Sequence, residues 1–103
     1  FVLDGPRPSL YDADTLKKDS SSYFGIMRDY FSKQVVAAGY ELADMQSTFI
    51  DDFTRNGRRF EFPMDNHWNE YANQLVASRI QNSGVYQAVF EQEKEQKPIT
   101  LRE

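Results

Sequence analysis

The stretch "YFGIMRDYFSKQVVAAGYELADM", residues 23 to 45, decides the fold class of this chain. Its apolar residues recur at the spacing of one helix face, at positions 23, 24, 26, 27, 30, 31, 35 and 38. Gly39 ends that helix because glycine tolerates the left-handed conformation, and residues 40–45 then have the character of a strand. An earlier apolar run, "FVLD" at residues 1–4, is closed by the turn residues Gly5 and Pro6. Strand, helix and strand in this order favour two parallel strands joined by a right-handed crossover.

The second half of the chain contains another patterned helix, which we predict over residues 66–82 with Asp65 or Asn66 as its N-cap. Its inward face consists of Trp68, Tyr71, Ala72, Leu75, Val76, Arg79 and Ile80. A short helix precedes it and ends at the turn signal Asn56-Gly57. Between the two, residues 58–63 are predicted to be extended, since Pro63 disfavours helix before it.

The remaining segments carry weaker signals. Residues 6–19 are predicted to form a loop, with one short helical turn at most. The serines at 20–22 are predicted to cap the helix over 22–38. Residues 84–90 either extend the last helix or form a separate turn. We therefore expect one domain over residues 1–90, followed by a charged tail over 91–103.

Composition bounds the class of protein. The 103 residues are 40% apolar and 15% aromatic, which favours one small packed domain. A net charge of -4 gives no basic face for nucleic acid, and no apolar run approaches the roughly 20 residues of a membrane span. The lack of cysteine excludes disulfides, thiol catalysis and cysteine-ligated zinc. Because the sequence opens on a strand without Met or a signal peptide, we expect it to start inside a longer protein.

The only histidine, His67, lies two positions after Asp65 in "FPMDNHWNEYANQLVASRI", residues 62–80. A carboxylate that accepts a hydrogen bond from one imidazole nitrogen sets the tautomer, and the other nitrogen can then act as a general base. The spacing is equally that of a helix cap with a surface histidine, and it leaves both interpretations open. A metal site is a third use of Asp-x-His, with Asp44 and Glu61 as further carboxylates, although their spacing gives no support.

The letters around this pair resemble the last sequence block of the SGNH hydrolases, the GDSL-type esterase superfamily. "FVLDGPRPSLYD" and the stretch from residue 23 to residue 49 are similar to strands and helices of the same fold, so the resemblance covers about the first 80 residues. It implies a three-layer α/β/α, flavodoxin-like fold with parallel strands, of which only the C-terminal part is present. It also implies His67 as catalytic base, Asp65 as its orienting acid, no cofactor, and a small-molecule or carbohydrate ester as substrate.

The departures from this family concern the nucleophile. No Gly-Asp-Ser block occurs in the chain, and the family's oxyanion-hole blocks also lie upstream of the matching region. The prediction is therefore an ester hydrolase or acyl-transfer enzyme of Ser-His-Asp type, completed by a missing N-terminal half or by an oligomer partner. The alternative is a non-catalytic α/β module for binding or assembly. A Gly-Asp-Ser sequence before residue 1 of the full gene product discriminates between them.

Three further residues are predicted to contact substrate. Arg7 and Tyr11 follow the first strand, and loops after the carboxyl ends of parallel strands are where open α/β sheets bind ligands. Trp68 is compatible with the wall of a substrate pocket and equally with the core.

Overall fold

The structure, a computed structural model, describes the backbone of residues 1–100 and the side chains of residues 1–92. The elements in chain order are β1 (Val2–Leu3), a 3-10 helix (Ser9–Tyr11), α1 (Ala13–Ser20), α2 (Tyr23–Ala37), β2 (Ala43–Asp44), α3 (Met45–Asn56), β3 (Glu61–Phe62), β4 (Asp65–Trp68), α4 (Glu70–Gln81) and α5 (Gly84–Thr100). The chain is a mixed α/β protein with two small sheets.

The first sheet is the predicted parallel pair, which is confirmed. Val2 of β1 lies opposite Ala43 of β2, and Leu3 lies opposite Asp44. Helix α2 forms the crossover, with the Ser22 hydroxyl accepting from the Gly25 N–H at its start. The helix ends as predicted, because Gly39 adopts a positive φ of 87° directly after it.

Helix α1 corrects the prediction of a loop over residues 6–19. Asp12 caps it by accepting a hydrogen bond from the Thr15 N–H, and Asp14 lies in its first turn. Lys17 and Lys18 lie in its last turn, so the charges oppose the helix dipole at both ends. Capping and charge placement were the signals for this helix, which has no buried residue and therefore no apolar stripe to reveal it.

The second sheet is a hairpin that corrects the predicted start of the last helix. Strands β3 and β4 are antiparallel, with Glu61 opposite Trp68, and α4 begins only at Glu70. The N-cap is Asn69 rather than Asp65 or Asn66. The predicted start was wrong because Trp68, which lies on β4, has the same helical spacing in sequence as the inward residues of α4.

The core lies where α3, α4, the 3-10 helix and the hairpin meet. Phe49 of α3 stacks on Phe60 with ring centroids 4.2 Å apart, and neither side chain is accessible to solvent. The other buried members are Leu10, Met45, Ala72 and Val76. Helix α3 ends at Gly57, whose φ of 66° matches the predicted turn.

Helix α2 is placed as predicted, but its apolar side chains are not buried. Only Val35 is buried, whereas Tyr23, Phe24, Ile26, Met27 and Tyr30 are exposed. A helix that covers a parallel sheet normally packs against several strands. Here it meets a sheet of two strands, so most of its apolar face remains in solvent.

Helix α5 is separate from α4, since Asn82 and Ser83 between them are not helical and α5 begins at Gly84. It runs through the predicted boundary between residues 90 and 91, and the side chains of the predicted tail lie almost wholly outside the described residues. Across the part of the chain that was searched, no helix combines the length and apolar character needed to cross a bilayer.

Candidate functional site

The predicted hydrogen bond between Asp65 and His67 is present at the start of β4. Asp65 Oδ1 lies 2.6 Å from His67 Nδ1 and also accepts from the His67 backbone N–H at 3.0 Å. These two bonds, the backbone one first, lower the pKa of the Asp65 carboxyl, so it is ionised near neutral pH. A carboxylate in this position selects the tautomer that carries hydrogen on Nδ1 and leaves Nε2 as an acceptor.

The His67 ring is strongly exposed at the rim of an open cleft. Its side chain is 87% exposed and that of Asp65 is 53% exposed. The cleft has a volume of about 370 Å³ and is lined by Asp4, Arg7, Asn66, His67, Trp68 and Asn73. An exposed pair of this kind adds little to stability, because water screens the charges. The geometry offers a base to a reacting group that arrives from solvent or from a second surface.

Asp4 connects the cleft to the parallel sheet. It directly follows β1, and its two carboxylate oxygens accept from different elements: Oδ1 from Trp68 Nε1 at 3.0 Å and Oδ2 from Arg7 Nη2 at 2.9 Å. The cleft thus lies at the carboxyl end of a parallel strand, where α/β sheets place their ligands. Sequence analysis missed Asp4, although its place at the end of the first apolar run was a usable signal.

Arg7 lies in the cleft, and its two terminal nitrogens donate within the protein, whereas its buried Nε has no hydrogen-bond partner among the described residues. Nη2 donates to Asp4 and to the carbonyl oxygen of Asn66, each at 2.9 Å, and Nη1 lies 3.4 Å from Glu61 Oε2. Burial alone would lower the pKa of Arg7, but Asp4 and Glu61 outweigh it and raise the pKa. Contact of Arg7 with substrate stays a prediction.

Tyr11 does not line the His67 cleft and is linked to the cleft residue Arg7 through Glu61. Its hydroxyl donates to Glu61 Oε2 at 2.5 Å and accepts from the Phe60 N–H at 3.0 Å. Burial, with the Glu61 hydrogen bond second, raises the pKa of Tyr11 to about 12. These contacts join Tyr11 to the segment before β3 and to Glu61 of β3, and contact of Tyr11 with substrate stays a prediction.

Trp68 packs against the core and also lines the cleft, and its contact with substrate stays a prediction. Its indole is partly buried against the edge of Phe49 at a centroid distance of 6.4 Å, and it also lines the cleft. Its Nε1–H is held by Asp4, so the indole plane is fixed with respect to the strand β1.

Asn69 connects the hairpin to α4 and was not singled out from the sequence. Its Oδ1 accepts from the Ala72 N–H at 2.9 Å, which caps the helix. Its Nδ2 donates to the carbonyl oxygens of Arg59 at 2.9 Å and Glu61 at 3.3 Å. One amide therefore bonds the segment around β3 and the first turn of α4, and it lies directly after the end of β4 at Trp68.

Asp44 and Arg28 form a second charged group at the same edge of the sheet. Arg28 donates to both Asp44 carboxylate oxygens and, at 3.1 Å, to the Asp4 carbonyl oxygen. Burial would raise the pKa of Asp44, but the bonds from Arg28 and the Gln46 N–H lower it overall. Asp44 is thus committed to Arg28 and to capping α3. Among the described side chains, no group of three or more histidine or acidic residues is arranged to hold a metal ion.

A larger apolar groove of about 540 Å³ lies elsewhere, between β1, the end of α4 and α5. Its polar groups serve the two helix ends that meet there: Glu41 accepts from the Gly84 and Val85 N–H groups at the start of α5, which lowers the pKa of Glu41, and Ser83 Oγ donates to the Ile80 carbonyl oxygen at the end of α4. Since the carboxylate of Glu41 in this groove is committed to the start of α5, the smaller cleft is the better candidate for chemistry. No family model, no curated protein and no solved structure matches this chain.

Proposed function

We propose that the chain supplies the base and the orienting acid of a Ser-His-Asp ester hydrolase or acyl transferase, with a serine nucleophile from outside residues 1–103. The observation that carries the proposal is the 2.6 Å contact of Asp65 Oδ1 with His67 Nδ1 beside an open cleft. In this role Nε2 of His67 takes the proton of the attacking hydroxyl and returns it to the leaving group.

Placement of the pair supports this reading over a simple helix cap. The sequence allowed Asp65 to serve as the N-cap of the following helix, but Asn69 caps α4 and Asp65 bonds to His67 instead. The cleft lies at the carboxyl end of β1, as ligand sites of parallel sheets do. A three-layer α/β/α sheet of the SGNH type is the fold that we propose for the complete enzyme.

The exposed surface supports a partner in that fold. The apolar face of α2, with Phe24 exposed by 77% and Tyr23 by 71%, has the composition of a buried layer. An N-terminal half that adds strands to the sheet would cover this face and bring a nucleophile and an oxyanion hole to His67.

The test is hydrolysis of a short-chain aryl ester by residues 1–103 alone and together with the polypeptide that carries the Gly-Asp-Ser block. We expect activity only in the combination. His67→Ala should lower kcat by several orders of magnitude because a triad acts as a unit, and Asp65→Asn by a factor on the order of 10⁴. Asp51→Asn, which changes an exposed carboxylate on α3, is the matched control and should leave the rate unchanged. Undiminished hydrolysis by His67→Ala defeats the proposal.

A non-catalytic binding or assembly module is the second candidate function. The observation that favours it is the larger apolar groove together with the uncovered face of α2, which are features of a docking surface. In that case the combination would associate and remain inactive, and His67→Ala would not change the association.

A further inference from the structure

We propose that Arg7 is a positioning residue, which sets the imidazole of His67 through the peptide group that joins Asn66 to His67. The effect of Arg7 on catalysis rests on the proposed function, whereas the hydrogen bonds that link Arg7 to His67 are independent of that function. Arg7 Nη2 donates to the Asn66 carbonyl oxygen at 2.9 Å, although 59 residues separate them in sequence.

The two ends of one peptide group carry the argument. The carbonyl oxygen of Asn66 accepts from Arg7, and the N–H at the other end, that of His67, donates to Asp65 Oδ1 at 3.0 Å. Because a peptide group is planar, fixing its oxygen also fixes the direction of its N–H. That N–H shares Asp65 Oδ1 with the ring Nδ1, so Arg7 constrains the carboxylate on which the tautomer depends.

Few other contacts hold this part of β4. The side chains of Asp65, Asn66 and His67 are all exposed, so packing does not restrain the three residues. Arg7, in contrast, has a side chain only 12% exposed and is held by Asp4 and Glu61. A planar guanidinium holds its donors in a fixed fork on separate nitrogens, whereas the three donors of a lysine ammonium rotate on one nitrogen at the end of a flexible stem.

The experiment compares Arg7→Lys with Arg28→Lys in the protein of residues 1–103. Arg28 is the matched control, because it is also largely buried, at 18% exposed, and also bonds Asp4. Within the part of the chain that the structure describes, it donates to Asp4 and Asp44 and to no residue of β4. The ¹⁵N chemical shifts of the imidazole report the tautomer, and His67 is the only histidine, so a single pair of signals is read. The indole N–H signal of Trp68, also unique, reports whether the Asp4 end of the network is intact.

We expect the tautomer with hydrogen on Nδ1 to dominate in the unsubstituted protein and in Arg28→Lys. In Arg7→Lys its ratio to the other tautomer should fall by about fivefold, the factor that corresponds to about 1 kcal/mol. An unchanged ratio in Arg7→Lys, an equal fall in Arg28→Lys, or dominance of the other tautomer in the unsubstituted protein overturns the proposal. If Arg7→Lys loses the Trp68 signal through unfolding, the scalar coupling across the Arg7–Asn66 hydrogen bond in the unsubstituted protein decides: its presence supports the proposal and its absence overturns it.

Kinetics of the complete enzyme separate this inference from the proposed function. A positioning role lowers kcat and leaves KM unchanged, whereas a rise in KM alone would make Arg7 a substrate contact and refute positioning. If His67→Ala remains active, the proposed function fails, while the tautomer result for Arg7 stands or falls by itself.

Discussion

Asn69 offers the sharpest test of how the site is held, because one short side chain makes three hydrogen bonds to backbone. Asn69→Ala removes the cap on the Ala72 N–H and both donations, to Arg59 and Glu61. Loss of a cap costs about 1 kcal/mol, and the two donations, one of them long at 3.3 Å, add about 1 kcal/mol together. We therefore expect a loss of about 2 kcal/mol in the free energy of unfolding, a large share of the stability of a small domain.

Asn69→Ser divides this loss into its two parts. Serine retains an acceptor for the cap and lacks the amide donor, so this variant should lose about 1 kcal/mol. The assay is urea unfolding followed by Trp68 fluorescence and by far-ultraviolet ellipticity, with equal slopes expected for all variants. Asn82→Ala is the control, since its side chain bonds only the Ser78 carbonyl oxygen at the exposed end of α4. Equal stability of the serine and alanine variants, or a loss below about 0.5 kcal/mol for alanine, would refute the reasoning.

Three further outcomes are expected. The pKa of Tyr11 rises from 10.0 to about 12 on folding, so the stability that its hydroxyl contributes is complete below pH 10 and is lost as the pH approaches 12. This loss is about 1 to 2 kcal/mol after allowance for solvent screening. Tyr11→Phe should not show this loss when its free energy of unfolding is measured across the same pH range. Phe49→Ala should cost about 3 to 5 kcal/mol in thermal or urea unfolding, because the side chain is fully buried on Phe60, and a cost below about 1 kcal/mol contradicts this account of the core. Residues 1–103 should self-associate in sedimentation velocity as concentration rises, and Phe24→Glu should reduce this; a monomer at all concentrations contradicts the idea that the α2 face is an interface.

The parallel pair and the helix between them were predictable because each of these elements has its own local signal in the sequence. The apolar run at 1–4 and Gly39 mark the ends of the crossover, and a right-handed connection is then the rule. The start of α4 was wrong by four residues because a carboxylate can cap a helix or bond a nearby side chain, and sequence does not distinguish these uses. The bond from Asp65 to His67 decides against the cap.

The site was predictable where its residues are neighbours in sequence and not where they are distant. Asp65 and His67 were placed together by their spacing. Asp4 and Glu61 belong to the same network, but they reach Trp68 and Arg7 across 64 and 54 residues, distances over which no periodicity operates. The pattern of α2 placed its apolar residues on one face, but a stripe does not show whether the rest of the chain covers that face.

The long reach of this network also bears on the order of events during folding. The hairpin with its helix α4 closes over short stretches of chain, whereas the bonds from Asp4 and Arg7 close loops of more than fifty residues. Closing long loops is the slower step, because chain entropy opposes it before any contact compensates. Strand β1 leaves the ribosome before the hairpin, yet Asp4 and Arg7 meet the hairpin only after the hairpin has been made. We therefore expect the bonds of Asp4 to Trp68 and of Arg7 to Asn66 to form late, so that the peptide group between Asn66 and His67 is fixed only when the domain is complete.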